Sequence, residues 1–166
     1  DHKRQDVIAA KRAPVSSLGT VWGEGSAGLY KTLKHSEYQG RPQKELTEDF
    51  IKICQDWDMP ETVWQSAVTV CQDISDDAEF YSTFLYSILK GDGNVHVLRE
   101  MLETRPYLIT EAAQRIFKHA PEGEAAQSLI DLVDIAVRAK PEHNSMSLLP
   151  VRYHLFARAL EGAFIS

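Results

Sequence analysis

Leu46, Phe50, Ile53 and Trp57 recur at steps of four, three and four. That spacing follows the turn of an α-helix and puts all four side chains on one face. The same beat returns after each break in the chain. Val63, Ala67, Val70 and Ile74 carry it over 61–74, and Phe80, Phe84, Leu85, Ile88 and Leu89 over 78–90. Leu98, Met101 and Leu102 follow over 95–104, then Ala112, Ala113, Ile116 and Phe117 over 111–119. Ala126, Leu129, Val133, Ala136 and Val137 line the longest run, 124–140. One-sided stripes of this kind are buried by stacking helix on helix.

The breaks have their own chemistry. Met59-Pro60 stops one helix, and Pro60 suits the first turn of the next. Ser75-Asp76-Asp77 offers an N-cap followed by acids that the helix dipole favours. Gly91-Asp92-Gly93 ends the helix over 78–90, and Asn94 is expected to cap its successor. Arg105-Pro106-Tyr107 is a short break, with Thr110 a good N-cap beyond it. Pro121-Glu122-Gly123 makes a turn, and Asp134 with Arg138 is spaced for an i,i+4 ion pair.

The first part of the chain lacks this order. Asp6 to Arg12 reads as a short basic helix that Ala13-Pro14 ends. Val15 to Trp22 reads as extended or loop, and Tyr38 to Gln43, with Gly40 and Pro42, as a linker. The expected division is a loosely structured basic segment over 1–43 and a helical domain over 44–166. The expected fold class is mainly all-α: a bundle or orthogonal array of about seven helices.

Charge narrows the partners. Residues 1–45 carry eight Lys/Arg and five Asp/Glu, whereas residues 46–166 carry ten and nineteen. An acidic body does not grip nucleic acid over its whole surface, so any such contact must be local. No apolar run approaches the roughly 18 residues of a membrane span, so no membrane partner is expected. Cys54 and Cys71 lie 17 residues apart in apolar-periodic segments. They read as buried thiols of an intracellular, cytoplasmic protein rather than a disulfide or zinc pair. The chain opens at Asp1 and closes at Ser166 inside an apolar pattern, which reads as a piece of a longer protein.

Signals for catalysis are thin. Gly23-Glu-Gly-Ser-Ala-Gly28 matches G-x-G-x-x-G, with a helix from Ala27 to His35 behind it. Such a loop meets a pyrophosphate only inside a strand–loop–helix unit. The strand Thr20-Val21-Trp22 is too short, and no βαβ pattern follows, so a flexible loop is the expectation. The histidines His2, His35, His96, His119, His143 and His154 form no His-x-x-x-His, and no Cys-x-x-Cys occurs. Trp22, Trp57 and Trp64 stand outside any basic run and read as packing residues rather than base-stacking platforms. No catalytic residue, cofactor site or metal site is assigned.

The last eighteen residues hold the densest information. Leu149, Tyr153, Phe156 and Leu160 make a helical stripe, with Arg152, His154 and Arg158 off it. Glu161-Gly162 is a stop, and Ala163-Phe164-Ile165 starts a strand. The same residues also alternate apolar and polar, which fits a strand or hairpin. The helix is the favoured reading, and the hairpin stays open. A hairpin here would complete a winged-helix outline over the C-terminal half. Its recognition helix would be 124–140, where Gln127, Asp131 and Asp134 face outward with the wrong charge for DNA.

Pro150-Val-Arg-Tyr-His-Leu-Phe-Ala-Arg-Ala-Leu-Glu-Gly-Ala-Phe164 resembles a segment of large superfamily-2 DEAD/DEAH-box-type helicases. The likeness is close over 148–164 and loose over 95–166. In that family the segment lies in an accessory region outside the first ATP-binding lobe, and a zinc-binding segment often follows. The resemblance implies an accessory helical domain of a DNA or RNA helicase, serving DNA repair or defence against phage. It implies ATP and Mg in the parent protein, zinc after residue 166, and the motor lobes as partners in cis. Single-stranded or duplex DNA or RNA would be touched through Arg152, His154 and Arg158. Read from the residues alone, those arginines pair with the chain's many acids and His154 bonds to backbone. The alternative function is a stand-alone helical module that binds another protein through an apolar groove.

Overall fold

The computed structural model describes residues 13–16, 19–21, 27–34, 40–142, 144–150, 155–156 and 164–165; for the strand residues at 13–16, 19–21, 155–156 and 164–165 it describes the backbone only. The protein is mainly helical. A hairpin of β1 (Ala13–Ser16) and β2 (Gly19–Val21) comes first. The described helices are α1 (Ala27–Lys34), α2 (Gln43–Asp56), α3 (Glu61–Cys71), α4 (Asp77–Leu89), α5 (Gly93–Thr104), α6 (Ile109–Ile116) and α7 (Glu122–Arg138). Three two-residue strands complete the list: β3 (Tyr107–Leu108), β4 (Leu155–Phe156) and β5 (Phe164–Ile165). They form one sheet in the order β3-β4-β5, with β3 parallel to β4 and β4 antiparallel to β5.

The stripes put their residues where expected in most places. Phe80, Phe84, Leu85, Ile88 and Leu89 are all buried, as are Leu98, Met101 and Leu102 of α5 and Ala112, Ala113 and Ile116 of α6. Val70 departs from its stripe and is 52% exposed. The reason is that α3 stops at Cys71 and packs chiefly on α4, so only part of its surface is covered. Trp57 and Trp64 pack half-buried against the core.

The helix ends differ in detail. Asp76 caps α4, its carboxylate accepting from the Glu79 amide at 2.9 Å. Helix α2 ends with Asp58 in the left-handed region, φ 57°. The Met59 amide reaches the Cys54 carbonyl at 2.9 Å, and the Asp58 amide reaches Gln55 at 3.0 Å. This is the Schellman pattern with aspartate where glycine is usual, and buried Met59 supplies its apolar contact. Asn94 and Thr110 are not caps. Helix α5 begins two residues earlier, after Asp92, and α6 begins at Ile109 directly from β3.

Helix α7 lies at the centre, against α1, α4 and α6. Its Ala125, Leu129, Leu132, Val133, Ile135 and Ala136 are buried, and so is Asp131, at 3% exposure. Asp131 was expected to face outward. A helix covered on several sides has no solvated face there, and the carboxylate is met instead by Lys34 Nζ of α1 at 3.1 Å and the Gln127 amide at 3.1 Å. Helix α1 falls within the stretch 1–43 expected to be loosely structured. Its Leu29, Tyr30 and Leu33 are in the core, so the helical body takes in Ala27–Lys34. Asp134 and Arg138 form the i,i+4 pair, half in solvent.

The largest correction is at the C-terminal end. Leu155–Phe156 is a strand, so the favoured helix over Leu149 to Leu160 does not form there. Leu148 and Leu149 fold back on α7, their amides bonding the Ala139 and Ala136 carbonyls at 2.9 and 3.2 Å. Leu155 then pairs with Tyr107 and with Ile165. Strand partners supplied from far along the chain override a local helical period. The hairpin reading and the terminal strand at 164–165 agree with the structure. Helix, strand, helix, helix, strand, strand is the order of elements from α5 to β5.

Candidate functional site

Arg152, His154 and Arg158, the residues singled out in the sequence, lie outside the described residues. Leu155 and Phe156, which fall between His154 and Arg158 in the sequence, form the central strand of the small sheet and pair with β3. The corner carrying β3 is braced. The Arg105 guanidinium lies 3.8 Å over the Tyr107 ring and donates to Glu111 at 2.6 and 3.3 Å. Arg115 donates to the Tyr107 hydroxyl at 2.8 Å. Its partnership with Glu111 raises the pKa of Arg105, and Arg105 lowers that of Glu111. The Tyr107 ring, under one guanidinium and bonded through its hydroxyl to another, braces the loop between α5 and α6, whose β3 pairs with β4.

The helix that would read DNA in a winged-helix outline is α7, and its position argues against that role. Helix α1 covers the side bearing Asp131, and α4 and α6 cover others. A recognition helix needs a free face to enter a groove. The Lys34–Asp131 pair also fixes this packing. Replacing Lys34 with Met is expected to cost roughly 2 kcal/mol, because it strands a buried carboxylate with only the Gln127 amide. Asp131→Asn should cost less, since Lys34 can turn to water. Equal losses in urea unfolding of the two variants would show that the pair is not what holds α1 on α7.

Elsewhere the candidates resolve into structure. Gly28, last of the G-x-G-x-x-G match, sits inside α1, where a Cβ would collide with the Trp57 ring. Its role there is close packing of α1 against α2. Residues 23–26 of the match lie outside the described residues, and β2 pairs antiparallel with β1, which is not a βαβ arrangement. Cys54 and Cys71 are free, buried thiols, and burial pushes both up to about 12. Neither is a nucleophile or a ready metal ligand at neutral pH. Among the described residues no group of three His, Cys, Asp or Glu could hold a metal ion. His96 pairs with Glu100 one turn on, at 3.0 Å, and His119 is exposed. His2, His35, His143, His154 and Trp22 lie outside the described residues. Among those described, no helix is long and apolar enough to cross a membrane.

One polar cluster escaped the sequence reading. Asp92, at the N-terminus of α5, is 2% exposed. The Tyr30 hydroxyl of α1 donates to its Oδ2 at 2.5 Å, and Asn94 Nδ2 donates to that hydroxyl at 2.9 Å. Asp92 Oδ1 has no hydrogen-bond partner. Burial raises the carboxyl pKa to about 7, against the opposing pull of Tyr30 and the nearby Asn94 and Val95 amides. The only sequence signal was position: an aspartate just before a helix ordinarily reads as a solvated cap.

The chain matches no protein-family model, and comparison with curated proteins and with solved structures likewise yields no match.

Proposed function

We propose that this chain is an accessory helical domain of a superfamily-2 DEAD/DEAH-type helicase, without catalysis of its own. The likeness of Pro150 to Phe164 to a segment of those helicases carries the reading. In this proposal the domain steers a nucleic-acid strand or braces the motor lobes in cis, through Arg152, His154 and Arg158. DNA repair or defence against phage is the setting, the cytoplasm the location, and ATP with Mg belongs to the motor lobes. Zinc, where the parent protein uses it, would be held after residue 166, as in the helicases that the segment resembles.

Two features support a local contact rather than a broad one. The body is acidic, and α7 is covered, so a strand held by this domain is best held at the sheet. Because β4 is bonded to β3, a load taken up beside β4 would pass into the α5–α6 corner.

Binding of the purified chain to labelled single- and double-stranded DNA over a salt series tests the proposal. Salt-sensitive binding is expected. The double variant Arg152→Ala/Arg158→Ala should weaken it and flatten the slope of log K against log salt by roughly 1.4–1.8, the loss of two phosphate contacts. No binding at low salt, or a variant that binds like the parent, would remove the strand contact. A Gly-Lys-Thr loop and Asp-Glu-x-His encoded upstream in the same gene would support the helicase setting.

A further inference from the structure

Helix α2 is held off α4 by aromatic rings. Phe50 of α2 stacks on Phe84 at 4.8 Å and on Phe80 at 6.0 Å. Rings standing between two helices leave openings at their flanks. One such opening is a groove of about 350 Å³, open to solvent, between α2 and the α3–α4 pair. Its apolar floor is Val68, Cys71 and Phe80, and Gln43, Lys44, Thr47, Glu48 and Gln72 stand on its walls.

Lys44 and Glu48 balance within the lining, but the stretch of chain around them is strongly acidic. Residues 41–80 carry three Lys/Arg and ten Asp/Glu, a net −7 in a chain of net −6. The turn between α3 and α4, which carries Asp73, Asp76 and Asp77, joins the lining residues Gln72 and Phe80. It is fixed by two bonds: Gln43 Nε2 of α2 donates to the Ile74 carbonyl, and the Gly40 amide donates to Asp77 Oδ2 at 3.2 Å. Arg41, two residues before Gln43, is engaged by Asp49 at 2.7 Å and Glu45 at 3.2 Å.

We propose that this groove docks a basic amphipathic segment of a partner protein. One apolar side chain of the segment seats on Val68, Cys71 and Phe80, and its Lys or Arg residues face Glu48, Asp73 and Asp76. The acidic surroundings select this occupant. Nucleic acid would be repelled, and a second copy would set one acidic face against another. An open groove with an apolar floor suits a helix laid along it better than a small molecule enclosed within it.

Three fluorescent model helices test the idea on the whole chain: alternating Leu and Lys at amphipathic spacing, the same with Glu for Lys, and a Lys peptide without apolar anchors. The Leu/Lys helix should bind and weaken with salt; each of the others should bind at least about tenfold more weakly. Thr47→Trp, which fills the groove, should weaken the Leu/Lys helix by at least about tenfold. The exposed pair Glu48→Lys/Asp73→Lys should do the same without touching the core. Equal binding of the Leu/Glu helix, or of both variants, overturns the proposal, as would tight binding of the Lys peptide alone. Concentration-dependent dimerisation abolished by Thr47→Trp would assign the groove to a second copy and overturn it too.

Discussion

Phe50→Ala is expected to destabilise the protein by about 3–5 kcal/mol, the range for emptying a buried aromatic site. Phe50 is buried, and its ring meets Phe84, Phe80 and Tyr81 at centroid distances of 4.8, 6.0 and 5.9 Å. Those three partners all lie on α4, so this one ring is a main attachment of α2 to the core. Both helices are regular, and neither can shift by the width of a ring to close the hole. Each kcal/mol lowers the midpoint of thermal unfolding by roughly 2–4 °C in a chain of this size, so a fall of about 10 °C is anticipated. Val70→Ala is the control, because an exposed valine should cost under about 0.5 kcal/mol. Urea unfolding of both variants decides the matter. A loss below about 1 kcal/mol for Phe50→Ala would mean that α2 is held by other contacts, and the origin of the groove beside it would need a different account.

Helices over 43–138 were legible because each hides one side and leaves a period behind. Residues 80, 84, 85, 88 and 89 could be assigned to the core without any knowledge of what covers them. Legibility failed where a contact joins distant parts of the chain. Strand β3 is two residues long and shows no alternation, and its partner Leu155 is far along the sequence. Around Leu155, a helical stripe and a strand alternation are written over the same letters, and only the pairing with Tyr107 and Ile165 separates them. Asp131 has the same explanation. Within α7 it falls on the polar side, but α1 covers that side, and nothing local announces the lysine that meets it. The Schellman end of α2 was hidden by Asp58 standing where glycine is usual. Of the candidate site, the sequence supplied Arg152, His154 and Arg158 as chemistry, and all three lie outside the described residues. The groove along α2 had no sequence signature, since its floor is drawn from two helices and most of its walls from a third.

Asp92→Asn is expected to stabilise the protein at pH 8 and to leave it nearly unchanged at pH 4. The carboxyl holds its proton up to about pH 7 in the folded chain, against an ordinary value of 3.8. The folded state therefore binds more protons than the unfolded one between those values, and stability falls as pH rises through that window. It is whole below the unfolded value and lost as pH approaches 7, at a slope of about 1.4 kcal/mol per pH unit for a single group. The full effect is of the order of 2–4 kcal/mol. Ionised, Asp92 would keep the Tyr30 hydroxyl on Oδ2 and leave Oδ1 buried without a partner. Among the described residues no cation pairs with it. The start of α5 favours a negative charge by dipole, by up to about 1 kcal/mol at an ordinary site, and this is too little to offset full burial. Asparagine keeps the acceptor for Tyr30 and removes the charge. Tyr30→Phe does the reverse: it deletes the donor that stabilises the anion, so it should carry the loss of stability on above pH 7, where that of the parent levels off. Urea midpoints for the three proteins from pH 4 to pH 8 measure the effect. If the parent and Asp92→Asn curves run parallel from pH 4 to pH 8, the carboxyl is ionised throughout, and water or a cation must reach a group that the fold otherwise encloses.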